Sequence, residues 1–223
     1  NRVLAFTRRF FNWCVARDLL AVSPANGIAK AKTEISRDRV LSKNELTAVY
    51  NATFQMPYPF GPLFRILIFT GQRLNEVAGA TWPEIDLDAR KWELPRDRSK
   101  NRAGHVVHLS DPVLDELNAL GNPAKHALVF TTTGTTPVSG FSKAKAKLDQ
   151  ISGVRYWRLH DARRTFATFS TEELGFEPVV VDRILNHVNG SVKGIAAVYQ
   201  KGQYLEKRKT VLDVWAKYVQ SPT

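Results

Sequence analysis

From Ser42 nearly to its end, the chain spaces its apolar residues as helices do, and one early stretch breaks into short strand-like runs. That pattern predicts a mainly α domain with a small antiparallel β-sheet. The strand-like runs are Glu84–Leu87, Lys91–Leu94 and Val106–Leu109, separated by turn residues and a basic loop. Ser42 opens the first helix of this region. Glu45 three residues on completes a capping box, with Leu46, Val49 and Tyr50 on one face. Further helices are predicted at 58–70, from near Arg73, after a cap at Asp111, and at 141–151, 161–172, 178–186 and 204–219. Leu128–Phe130 reads as a brief strand or extended piece before the turn-rich run Thr131–Gly140.

Ahead of this lies a separate pattern. Val3, Phe6, Phe10 and Trp13 fall at helical spacing, Ser23-Pro24-Ala25-Asn26-Gly27 breaks it, and 28–40 is polar and basic like a linker. The expected division is 1–32, the end of an upstream domain plus linker, and 33–223, the main domain. Because the chain opens on Asn1 in what reads as structured sequence, it is expected to be a fragment of something longer.

The excess of 32 Lys and Arg over 21 Asp and Glu is spread along the chain, for a net charge of +11. A folded body with such a distributed field attracts polyanions, nucleic acid first among them. No stretch of eighteen apolar residues exists, and no charged start leads into an apolar signal segment. The expectation is a soluble protein. Cys14 stands alone, so an internal disulfide and a thiolate metal cluster are both excluded, in keeping with a reducing cytoplasm.

Four segments could carry chemistry. In Thr70-Gly71-Gln72-Arg73-Leu74-Asn75-Glu76, a glycine turn places Arg73 in the first turn of a helix, where its planar fork can meet a phosphate beside free N–H groups. Glu76, one turn on, fits an orienting or capping role. In Ser99-Lys100-Asn101-Arg102, a lysine on a hairpin loop can reach a groove and offer a proton. In His160-Asp161-Ala162-Arg163-Arg164, positions i and i+3 put His160 and Arg163 on one helix face. The fourth runs from His187, after the apolar stripe Val180, Val181 and Ile184, to Ala196-Ala197-Val198-Tyr199. Read alone, each has an ordinary explanation: a surface arginine, a solvated turn lysine, a chance His–Arg pair, a core tyrosine.

Together and in this order they are specific. Arg, Lys, His-x-x-Arg, His and Tyr on a basic helical domain resemble the tyrosine recombinase (phage integrase) family over residues 42–223. Residues 1–27 look like the last helix of that family's core-binding domain. The run Ala197–Arg208, AVYQKGQYLEKR, is similar to the prophage and genomic-island integrase branch. Asn186 departs from the glycine that many members carry before the histidine. The resemblance implies the DNA breaking-rejoining catalytic fold and site-specific recombination that integrates or excises a mobile element. It assigns Tyr199 as nucleophile, Arg73 and Arg163 as phosphate clamps, His187 as a further donor, Lys100 as leaving-group acid and His160 as candidate proton acceptor. It also implies double-stranded DNA attachment sites as partners and a homo-tetramer on DNA, with accessory bending or directionality factors left open. The free fragment is expected to be a monomer.

Exchange of one phosphoester for another needs no cofactor, metal or ATP, and the sequence has no G-x-x-x-x-G-K-[ST] loop. The runner-up is a DNA-binding protein without catalysis, which shares the charge but has no use for all six residues. A metal-dependent nuclease or transposase ranks lower, because the acidic residues are scattered rather than clustered.

Overall fold

A computed structural model describes the chain apart from residues 32–37, 100–102, 122–126, 188–203 and 223. It divides into two compact units, Asn1–Asp38 and Arg39–Thr223. The boundary expected at 32/33 falls outside the described residues. In the smaller unit, α1 (Arg2–Val15) buries Cys14, while Val3, Phe6, Phe10 and Trp13 stay exposed. The Arg8 side chain donates to the Ala25 and Ile28 carbonyls, fastening the Pro/Gly turn region to the helix.

The larger unit begins as its caps dictate. Ser42 Oγ accepts from the Glu45 N–H, and the Glu45 carboxylate accepts from the Ser42 N–H, starting α2 (Lys43–Thr53). The central element is α3 (Phe60–Thr70), where Leu63, Phe64, Leu67 and Phe69 are buried. An all-round apolar helix needs neighbours on every side. It finds them in α2, α4 (Leu74–Ala78), α5 (Asp111–Leu120), α7 (Leu159–Thr168) and α9 (Leu205–Gln220). The remaining helices are α6 (Phe141–Ser152), against α2, and α8 (Pro178–Ile184), against α9.

The sheet has three antiparallel strands in sequence order, β1 (Ile85–Asp86), β2 (Lys91–Leu94) and β3 (His105–His108). Trp92 pairs with Val107 and Leu94 with His105, so all four side chains lie on the buried face. The small antiparallel sheet in a helical domain is therefore as expected.

Several boundaries differ for local reasons. Ser110, with extended backbone, is the N-cap of α5, and Asp111 is its first residue, with its carboxylate paired to Arg90. Trp82–Glu84 form a 3₁₀ turn, which leaves β1 only two residues. Leu128 makes an isolated bridge to Thr81 instead of starting a strand. The 161–172 helix starts earlier, at Leu159, because Asp161 caps it by accepting from the Arg158 N–H; after Thr168 it widens into a π turn, Phe169–Glu173. On the last helix Val211, Leu212, Trp215, Ala216 and Val219 are buried, but Leu205 is exposed. Tyr204 is the left-handed N-cap of this helix, and its ring packs against the core. Trp215 meets Phe166 edge-on at 5.4 Å and donates to the Ile68 carbonyl at 2.9 Å. The last helix thus packs on its own domain. Among the described residues no helix is long and apolar enough to cross a membrane.

Candidate active site

The site is organised by the turn that follows α8. Its apolar stripe, Val180, Val181 and Ile184, anchors the helix in the core. The chain then leaves through Leu185 and Asn186, and Asn186 takes a left-handed φ of 49° that asparagine tolerates better than most residues. The resulting bend exposes successive carbonyls to groups from distant parts of the chain. The Ile184 carbonyl accepts from Gln72 Nε2 at 2.9 Å, that of Leu185 from the Arg163 guanidinium, and that of Asn186 from Arg73 Nη2 at 3.3 Å.

Arg163 projects from α7 and is 3 % exposed. Its Nη1 donates to the Gly71 carbonyl at 2.8 Å. Gly71 ends α3 at φ 62°, and a Cβ there would lie 2.9 Å from the Phe166 ring, so only glycine can turn this closely. Burial first, then the neighbouring Arg73 charge, lowers the Arg163 pKa to about 10, and the group stays cationic at neutral pH. A guanidinium carries five N–H donors, of which these carbonyls engage two.

Arg73 is the N-cap of α4, not a first-turn residue. Its N–H is taken by the Glu76 carboxylate at 3.1 Å, and the other oxygen of Glu76 holds Arg73 Nη1 at 2.9 Å. Glu76 is 3 % exposed, and it both caps the helix and orients the arginine. The Glu76 carboxylate thus takes Arg73's own backbone N–H.

His160 lies one turn before Arg163 on α7 and is exposed. Partial desolvation of its ring, then the charges of Arg163 and Arg164, push it below the usual histidine range, and Asp161 opposes them. At neutral pH such an imidazole is neutral and able to accept a proton. His187 follows the turn, exposed, with Nδ1 2.9 Å from the Asp182 carboxylate. Since a carboxylate only accepts, Nδ1 bears the hydrogen and Nε2 is the nitrogen left for a ligand. Lys100 and Tyr199 lie outside the described residues. The structure therefore gathers Arg73 and Arg163 on one turn, with His187 directly after it and His160 on the helix of Arg163.

The sequence reading passed over Gln72, Ser99, His105 and Arg208. Asn186 Nδ2 donates to Ser99 Oγ at 3.0 Å, tying the turn to the residue before Lys100. His105 is buried in β3 with Nε2 2.8 Å from the Ile184 carbonyl. The available signal was alternation, since a polar ring stands in line with Val107 and Leu109 on the inward face. Burial, then Arg208, drives the His105 pKa down to about 3. An unfolded histidine titrates near ~6.5. Between those values the unfolded chain binds the extra proton, so stability is full above ~6.5 and falls as pH drops toward 3. Urea midpoints measured across this range should decline in the parent and decline less steeply in His105→Gln, where His160 still contributes. Equal slopes in both proteins would contradict the assignment.

Among the described residues no group of three or more His, Cys, Asp or Glu is placed to hold a metal ion. The model of the phage integrase family matches residues 39–200. Prophage integrase IntA of Escherichia coli K12 is 28% identical over 163 residues, covering 71% of this chain and 38% of that protein. The integrase of Shigella phage Sf6 is 29% identical over 159 residues, covering 70% and 40%. The chain thus spans about two-fifths of the length of these relatives. Tyrosine recombinase XerC of Xylella fastidiosa M23 is 25% identical over 213 residues, covering 93% and 71%. Among solved structures, a lambda integrase dimer bound to a COC' core site superposes with a TM-score of 0.62 at 16% identity, covering 89% of this chain and 58% of that one. A lambda integrase tetramer bound to a Holliday junction gives 0.63 at 16% identity, covering 86% and 60%.

Proposed function

Because this chain belongs to the phage integrase family, we propose that it is the catalytic portion of a site-specific DNA recombinase that cuts and rejoins DNA through a 3'-phosphotyrosyl link at Tyr199. One observation carries this reading. Arg73 and Arg163, ninety residues apart in sequence, hang from successive carbonyls of one turn, immediately before His187.

In the proposed reaction the Tyr199 oxygen forms a bond to phosphorus and the bond to the 5'-oxygen breaks. Charge gathers on the non-bridging oxygens as this happens. Paired N–H donors from two guanidiniums already fixed in place stabilise that charge without reorganising. A phenol with a pKa near ~10 is a weak nucleophile at neutral pH, so its proton must leave. His160 accepts it, helped by the depressed basicity that keeps its ring neutral. Lys100 gives a proton to the departing 5'-oxygen. His187, its ring held at Nδ1 by the Asp182 carboxylate, adds a further contact to the phosphate. The attack exchanges one phosphoester for another, and its reversal by the 5'-hydroxyl rejoins the strand with no energy source. The DNA-bound dimer and the junction-bound tetramer of the structural neighbours support duplex DNA as the partner and a tetramer on paired sites.

The test is an adduct that survives denaturant. The full-length protein is incubated with fragments of its own genome, and protein-linked fragments are recovered on a denaturing gel and sequenced. Adducts at a defined site support the reading; DNA binding without any adduct would favour a DNA-binding protein that does no chemistry. Since cations of the protein carry the electrostatic load, adduct formation should persist in excess EDTA. Loss in chelator with restoration by magnesium would replace this mechanism with metal-assisted cleavage.

A further inference from the structure

We propose that His105 is a positioning residue for cleavage: it pins the Ile184–Asn186 turn, on which Arg163 and Arg73 hang, to the third strand and to Arg208 of the last helix. The inference rests on the roles given above to Arg73 and Arg163. A carbonyl only accepts, so the 2.8 Å contact to Ile184 places the hydrogen on His105 Nε2. Nδ1 is then an acceptor, and Arg208 Nη2, which can only donate, lies 3.5 Å from it. Both ring nitrogens are thereby assigned and the ring is neutral, in keeping with its depressed pKa.

Three features make the ring more than filler. The Ile184 carbonyl receives two donors, His105 and Gln72, and the next two carbonyls hold the two arginines. A displacement of the turn would therefore move both guanidiniums at once. Arg208 in turn donates to the Val106 carbonyl, so the start of α9 is fastened to the same strand. The residues 188–203, which include Tyr199, join the turn to α9, and His105 holds the chain on either side of them. Packing alone would be served by a leucine at this inward-facing position. The polar ring costs desolvation that only its two hydrogen bonds offset.

The experiment compares His105→Leu, which removes both hydrogen bonds, with His105→Gln, whose amide N–H and carbonyl replace Nε2–H and Nδ1. Each full-length variant is given, at saturating concentration, a duplex carrying the site identified by adduct trapping. Adduct rate and DNA affinity are measured separately, with backbone amide exchange of 184–187 followed without DNA. His105→Leu should bind DNA as the parent does while its adduct rate falls on the order of 10²-fold, and the turn amides should exchange faster. His105→Gln should recover most of the rate and protection. Parental rates in His105→Leu, or equal loss in His105→Gln, would overturn the proposal. If His105→Leu does not fold, His105→Asn, too short to reach Ile184, takes its place. A parent that forms no adduct would overturn the active-site reading instead, and amide exchange in the two variants would still decide whether His105 pins the turn.

Discussion

Tyr199→Phe is expected to keep the fold and DNA binding of the parent and to form no covalent adduct at all. The substitution removes one oxygen and leaves the ring, so packing offers no explanation for a loss. Tyr204 is the rival nucleophile, five residues on. Its backbone argues against it: Tyr204 caps α9 in a left-handed conformation, and its half-buried ring packs against the core. Tyr204→Phe should therefore still form an adduct. Peptide mapping of the trapped species checks both statements together. An adduct in Tyr199→Phe that maps to Tyr204 would overturn the nucleophile assignment and leave the reaction class standing.

Arg163→Lys should lower the adduct rate by at least ~10³-fold, the scale set by losing an arginine or a preorganised donor at a phosphoryl transition state. The charge is retained, so the loss would report geometry. An ammonium is a point donor on a flexible stem, whereas the guanidinium reaches the Gly71 and Leu185 carbonyls together and still has donors for a phosphate. One buried carbonyl would be left without its donor, at a cost of about 1–3 kcal/mol in stability. Denaturant titration and single-turnover cleavage of the same sample separate the two effects. The salt dependence of DNA binding should change little, because the net charge is the same. Cleavage near the parental rate would remove Arg163 from the site.

Much of this protein was legible along the chain, because the rules that set it are local. Ser42 and Glu45 meet three residues apart, so the start of α2 could be read from the sequence and the structure agrees. Alternation put Trp92 and Leu94 on one face of a strand, and a small antiparallel sheet follows. Residue type and order were enough to single out Arg73, His160, Arg163 and His187, since few side chains offer paired donors or titrate near neutrality. Boundaries were less legible where a neighbour intervened. Asp111 looked like a cap by type, but its carboxylate pairs with Arg90, twenty-one residues earlier, and Ser110 takes the N-cap position. Leu205 matched the apolar period of its helix but sits at the start of α9, exposed.

By itself, then, the sequence determined the helical spacing, the sheet and the chemical identities of the candidate groups. Only the tertiary structure decided what holds those groups. Arg163 is held through the carbonyls of Gly71 and Leu185, Arg73 through that of Asn186, and His105 through that of Ile184. Every residue carries a carbonyl, so no letter in the sequence marks these as special. What distinguishes them is their place at a helix end or in the turn after one, which leaves their acceptors unpaired by helix and brings them, across 22 to 113 residues of chain, within reach of the right donors.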